Sequence, residues 1–139
     1  MINSKDVIRL KMPFPNINSK LAVSSHMYVC YTHVTNNYGL VKCQTFKNMF
    51  YNLQHRIIES KDPTRNPFNH KTLIDCDKLF KLNKIVIPDS LLTTTRRNIC
   101  NELFNTIDTE LKMDGYETKV MDSVMVKSVN PRVNLVEDN

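Results

Sequence analysis

Residues Thr72 to Leu111, reading TLIDCDKLFKLNKIVIPDSLLTTTRRNICNELFNTIDTEL, constrain the fold more than any other stretch. Within Leu73 to Phe80 the apolar residues Ile74, Cys76 and Phe80 fall on even positions, and Asp75, Asp77 and Leu79 on odd ones. Successive side chains of a strand point to opposite faces, so this spacing predicts a strand with one mostly dry face and one partly acidic face. Ile85-Val86-Ile87 is a β-branched run closed by Pro88, and reads as a second short strand. Ile99, Leu103, Ile107 and Leu111 then recur every four residues, with Cys100 and Phe104 beside them. That stripe predicts an amphipathic helix. Asp89, Ser90 and Thr93-Thr94-Thr95 offer N-caps, and Gly115 stands where a C′ glycine would. The helix is therefore expected over Thr94 to Lys112, opened by Arg96-Arg97, a solvated pair.

Earlier residues read as strands. Val7 to Met12 alternates, with Ile8, Leu10 and Met12 on one side, and Pro13-Phe14-Pro15 stops it. Asn16 to Lys20 is a polar loop. Met27 to Tyr31 is apolar on both faces, which predicts a central strand. Asn36 to Gly39 is a turn signal before Leu40 to Phe46, so Met27 to Phe46 is expected to be a hairpin. Ile57-Ile58 marks a further strand, and Ser60 to His70 is a loop without periodicity. After Tyr116 the pattern weakens: Val120, Val124, Val126 and Val129 suggest an edge strand, and Asn130 to Asn139 is expected to fray. The sum is one mainly β (α+β) domain over residues 1–139, a small antiparallel barrel or strongly bent sheet with one principal helix, residues 113–139 forming a weakly patterned tail.

Composition removes several function classes. The chain has 139 residues, enough for one domain with a real core. No apolar run approaches the ~20 residues of a membrane span, and the N-terminus carries no apolar signal region, so a cytoplasmic protein is expected. Cys30, Cys43, Cys76 and Cys100 are too scattered for a zinc-type pair and read as buried reduced thiols. With Gly39 and Gly115 the only glycines, a Gly-rich phosphate loop is excluded. No GxSxG elbow occurs, and the flanks of Cys30 and Cys43 suit burial rather than a reactive thiol. The net charge of +5 favours acidic partners, nucleic acid first. Asp75 and Asp77 have no histidine at ligand spacing, so pairing with lysine is the simpler account and neither a metal site nor a cofactor is expected.

The order of motifs is similar to a known family. A strand ending in Pro-Phe-Pro, then HMYVCY, LVKCQTF, TLIDCDKLF and a late helix resembles the PemK/MazF-like toxins over residues 5 to 112. The resemblance implies an SH3-like barrel, a homodimer, metal-independent cleavage of single-stranded RNA, and a partner antitoxin. The family's Arg-Pro pair is absent: Ser25-His26 stands where it would open the second strand, while Thr45 matches the family's hydroxyl near the end of the third.

Attack of a 2′-hydroxyl on its neighbouring phosphate needs a base, an acid and a donor for the phosphorane charge. His26 is the candidate for proton transfer, since an imidazole titrates at ~6.5. Thr45 is the candidate donor, with Ser24 and Ser25 assisting and Lys20 or Lys47 supplying positive charge. Arg65, in a basic loop with Lys61, Asn66 and His70, is a candidate phosphate contact. With a tight turn at Asn36–Gly39, position 26 pairs near position 49, so a His26–Thr45 site requires a bulge between them. The competing reading is an inactive barrel of the same type that binds nucleic acid or a protein, including a regulator from a mobile element.

Overall fold

The computed structural model describes residues 1–13, 25–48 and 55–136. Its spine is an antiparallel hairpin of β2 (Ser25–Val34) and β3 (Asn37–Thr45). Val34 pairs Asn37, so the turn is the two residues Thr35-Asn36, with Thr35 at φ 54°. The turn thus lies one residue before the Asn36–Gly39 segment that the sequence signals. Gly39 sits inside β3 opposite Thr32, where an added Cβ would come within 2.3 Å of the Thr32 hydroxyl oxygen. Close strand approach, not turn geometry, requires this glycine. Between Cys30 and Thr32 the register shifts, leaving Tyr31 as the extra residue of a β-bulge.

The other strands pair outward from this hairpin. β1 (Val7–Lys11) lies beside β2. β5 (Thr72–Asp75) pairs the end of β3, and β6 (Lys78–Leu82) pairs its start. β4 (Arg56–Glu59) pairs β5 on its outer side. β8 (Glu117–Val120) runs parallel to β6, reached through the crossover helix that a parallel pair needs. A second small sheet joins β7 (Ile85–Val86) to β9 (Asn134–Leu135). The mainly β, α+β architecture is as the sequence indicates. Among the described residues no ladder joins β4 or β8 back to β1, so a closed barrel is not seen. The outer edge of β1 is taken instead by residues 92–98, through bridges Ile8–Leu92 and Asp6–Asn98.

Both faces of the sheet are buried. Val7, Val29, Val41, Cys43 and Ile74 pack under Ile99, Leu103, Ile107 and Leu111. Ile8, Leu10, Met12, Tyr28, Cys30 and Leu40 pack on the other face with Ile85, Ile87, Val126 and Val133. That is why Met27 to Tyr31 within β2 reads as apolar on both faces. The strand expected across Leu73–Phe80 is broken at Cys76-Asp77, and the break reverses its phase: Ile74 and Cys76 face the helix, whereas Phe80 lies in the opposite core.

The helix α1 spans Asn101–Asp114, seven residues later at its start than the caps suggested. Residues 93–99 are held extended along β1: Thr93 N–H donates to Val7 O at 3.0 Å and Val7 N–H to Arg97 O at 2.8 Å. Arg97 therefore pairs Asp6 at 2.8 Å and is not part of a helix. Cys100 is the cap, its thiol accepting from Leu103 N–H at 3.4 Å, and Gly115 closes the far end at φ 74°. Beyond it, β8 is an edge strand that takes in only Val120 of the four valines expected to extend it, since Val124, Val126 and Val129 are helical, and the frayed tail is not found through residue 136. A second helix α2 (Ser123–Val129) is capped by Asp122. Asn130 and Val133 are buried, and β9 follows. Among the described residues no helix is long and apolar enough to cross a membrane.

Candidate functional site

Two rows of side chains meet on one face at the open end of the sheet. In the outer row Lys11 pairs Ser25, and Thr45 pairs Thr72. Continuing the β2–β3 register from Met27–Cys43 by two residues sets Ser25 against Thr45. In the inner row Arg9 pairs Met27, and Met27 pairs Cys43. Directly opposed residues stand ~4.5–5.5 Å apart at Cβ. The hydroxyls of Ser25, Thr45 and Thr72 thus form a continuous line with Arg9 behind it. The segment Phe68-Asn69-His70 walls the far side, and all of these residues except Lys11 line a cavity of 280 Å³. Among the described residues its lining contains no carboxylate.

The wall is held in place. Thr72 donates its hydroxyl to His70 O at 2.8 Å, and Phe46 N–H donates to Lys71 O at 2.8 Å. Asn66, 1 % exposed, accepts from Phe68 N–H at 3.1 Å and donates to Glu59 at 3.0 Å. His70 is exposed between these fixed points. Cys43 is at the floor, and burial pushes its thiol far above the ordinary range, which removes it as a nucleophile.

The residues named from sequence do not all converge. Ser25 and Thr45 share the groove. His26 touches the cavity, but strand alternation sets its side chain with Tyr28 and Lys42 on the opposite face from Thr45. Burial, and then the charge of Lys42, hold the His26 imidazole below its usual pKa. Arg65 is drawn away: it pairs Glu59 at 3.0 Å and Glu102 at 3.3 Å, and these carboxylates hold it protonated. Its loop is pinned rather than free to reach a phosphate. Lys47 is exposed beyond β3 and outside the lining. Lys20 and Ser24 lie outside the described residues, as does the whole Asn16–Lys20 loop.

Sequence reasoning did not single out Arg9, and took His70 only as a member of the Arg65 loop rather than as a partner of Thr45. Arg9 was legible as the exposed cation on the polar side of β1. Nothing local in the sequence places His70 beside Thr45, because only the long-range β3–β5 pairing carries it there. Among the described residues no cluster of three or more histidines, cysteines or carboxylates is placed to hold a metal. Asp75 and Asp77 lie together, and Lys78 sits 3.6 Å from Asp77. No protein-family model, curated protein or solved structure matches this chain.

Proposed function

We propose that the chain is a metal-independent endoribonuclease acting on single-stranded RNA, a divergent relative of the PemK/MazF-like toxins. The observation that carries this reading is the groove in which Arg9, Ser25, Thr45 and His70 converge from three strands and a fixed loop, with no carboxylate among its described lining residues. In the reaction a 2′-hydroxyl attacks the adjacent phosphorus, the bond from phosphorus to the 5′-oxygen breaks, and a 2′,3′-cyclic phosphate and a 5′-hydroxyl result. His70 is the exposed imidazole available to move a proton. Arg9 offsets the charge on the phosphorane. Ser25 and Thr45 donate to its non-bridging oxygens, and Thr72, engaged with the His70 carbonyl, is a positioning residue.

A specific observation favours the second reading, an inactive module that binds RNA. Among the described residues only one imidazole, that of His70, lies on the groove face, whereas an acid and a base are both needed. The two readings separate when purified protein is incubated with several long single-stranded RNAs in EDTA and the ends are mapped. The nuclease reading expects new 5′-hydroxyl ends. Salt-sensitive binding without cleavage would transfer the case to the module, and neither binding nor cleavage would remove both. The resemblance also carries a homodimer and an antitoxin partner. Sedimentation showing only monomer at micromolar concentration would count against the dimer.

A further inference from the structure

We propose that a second groove, on the β1 side of the first, receives the flanking nucleotides of the same single-stranded polynucleotide. This rests on the reading of the first groove as an RNA site. The second cavity has a volume of 480 Å³ and shares Arg9 and Ser25 with the first, so the two adjoin across these residues. It adds Lys11 and Arg132, both exposed, and like the first it has no carboxylate among its described lining residues. Among the described residues no ion pair engages Arg9, Lys11 or Arg132. Three cations in sequence along an acid-free path suit a polyanion longer than the first groove can hold.

The floor is built rather than incidental. Asn130 is 7 % exposed and clasps the end of β1 through both backbone groups of Lys11: it accepts from Lys11 N–H at 2.9 Å and donates to Lys11 O at 2.7 Å. A further bond to Val126 O at 2.9 Å ties it to α2. The turn that follows carries Arg132 and closes when Val133 N–H donates to Asn130 O at 3.1 Å. Arg132 and Lys11 are thereby fixed relative to each other. Among the described residues no aromatic side chain lines this groove, so the contact we infer there is to the sugar-phosphate chain rather than by base stacking. Binding in the second groove is therefore tolerant of sequence and sensitive to salt.

The test is fluorescence anisotropy with 2′-O-methyl oligouridylates of about four and about twelve residues, a span within the reach of one small nucleic-acid-binding domain. The blocked 2′-oxygen prevents cleavage of the probe. Wild type is expected to bind the longer probe more tightly. Arg132→Glu is expected to weaken the longer probe about tenfold or more and to leave the shorter within about twofold. An unchanged affinity for the longer probe in that variant overturns the proposal and leaves the first groove's reading intact. Equal loss for both lengths also overturns it. Equal binding of an oligoglutamate would assign the surface to acidic protein instead. Binding of neither oligouridylate by wild type removes the reading of the first groove, and this one with it.

Discussion

Asp75 and Asp77 divide one proton unequally. Burial and the neighbouring Asp77 push the Asp75 carboxyl up to about 6, while the bond from Asp75 and the charge of Lys78 hold Asp77 low. The folded value of Asp75 lies above the unfolded ~3.9. Its contribution to stability is therefore fully present below about pH 4 and lost as pH rises through about 6. Asp75→Asn removes that loss. Relative to wild type the variant should gain stability between pH 4 and pH 8, by roughly 1 kcal/mol once the shift is discounted for the screening of a partly exposed group. Urea melts at the two pH values measure it, and a difference independent of pH would refute it. The two histidines near the groove make a sharper contrast. His70→Ala is expected to lower RNA cleavage by ~10²–10⁴-fold with binding nearly intact. His26→Ala, on the other face, should change it by less than about tenfold. The reverse order in single-turnover assays would restore His26 to the site.

At the scale of elements, the helix stripe and the central hairpin make separate claims. Leu103 is 1 % exposed and packs on the Val29 and Val41 side of the sheet, so Leu103→Ala should cost about 2–5 kcal/mol in a urea melt. Gly39→Ala drives a methyl into the Thr32 hydroxyl and should cost ~1–3 kcal/mol, with part of the loss recovered when Thr32→Ala is added. Strict additivity in that double-mutant cycle would show that the clash is not the cause. These elements were legible because their periodicity is local: Ile99, Leu103, Ile107 and Leu111 report a helix wherever it begins. Its start was not legible. The hydroxyls of Thr93 to Thr95 look like caps, yet the backbone there is hydrogen-bonded to a strand more than eighty residues away. The reversed phase of Phe80 escaped for a similar reason, since two residues at Cys76-Asp77 suffice to turn the strand over. The groove was half legible. Ser25 and Thr45 stand on strands whose patterns are plain, but a one-residue bulge at Tyr31 and the β3–β5 pairing decide which histidine joins them.

The whole molecule carries a net charge of +5, but its distribution matters more than its sum. Arg9, Lys11 and Arg132, in no ion pair among the described residues, line the two grooves, while Arg65 and Arg97 are neutralised within the fold. With Arg9, Lys11 and Arg132 engaged, affinity for a long single strand should fall with salt at a logarithmic slope of about −2, at ~0.7 for each phosphate neutralised. A flat titration would mean that phosphates are not what holds the ligand. The clasp of Asn130 on β1 has a consequence for the newborn chain. Its partners are 119 residues apart, so at ~5–20 residues per second the first strand leaves the ribosome about 6–24 s before its last support is made. Through that interval its outer edge lacks its final cover. Ribosome-bound chains truncated at residue 120 should therefore be cleaved quickly by added protease near β1, and full-length chains slowly.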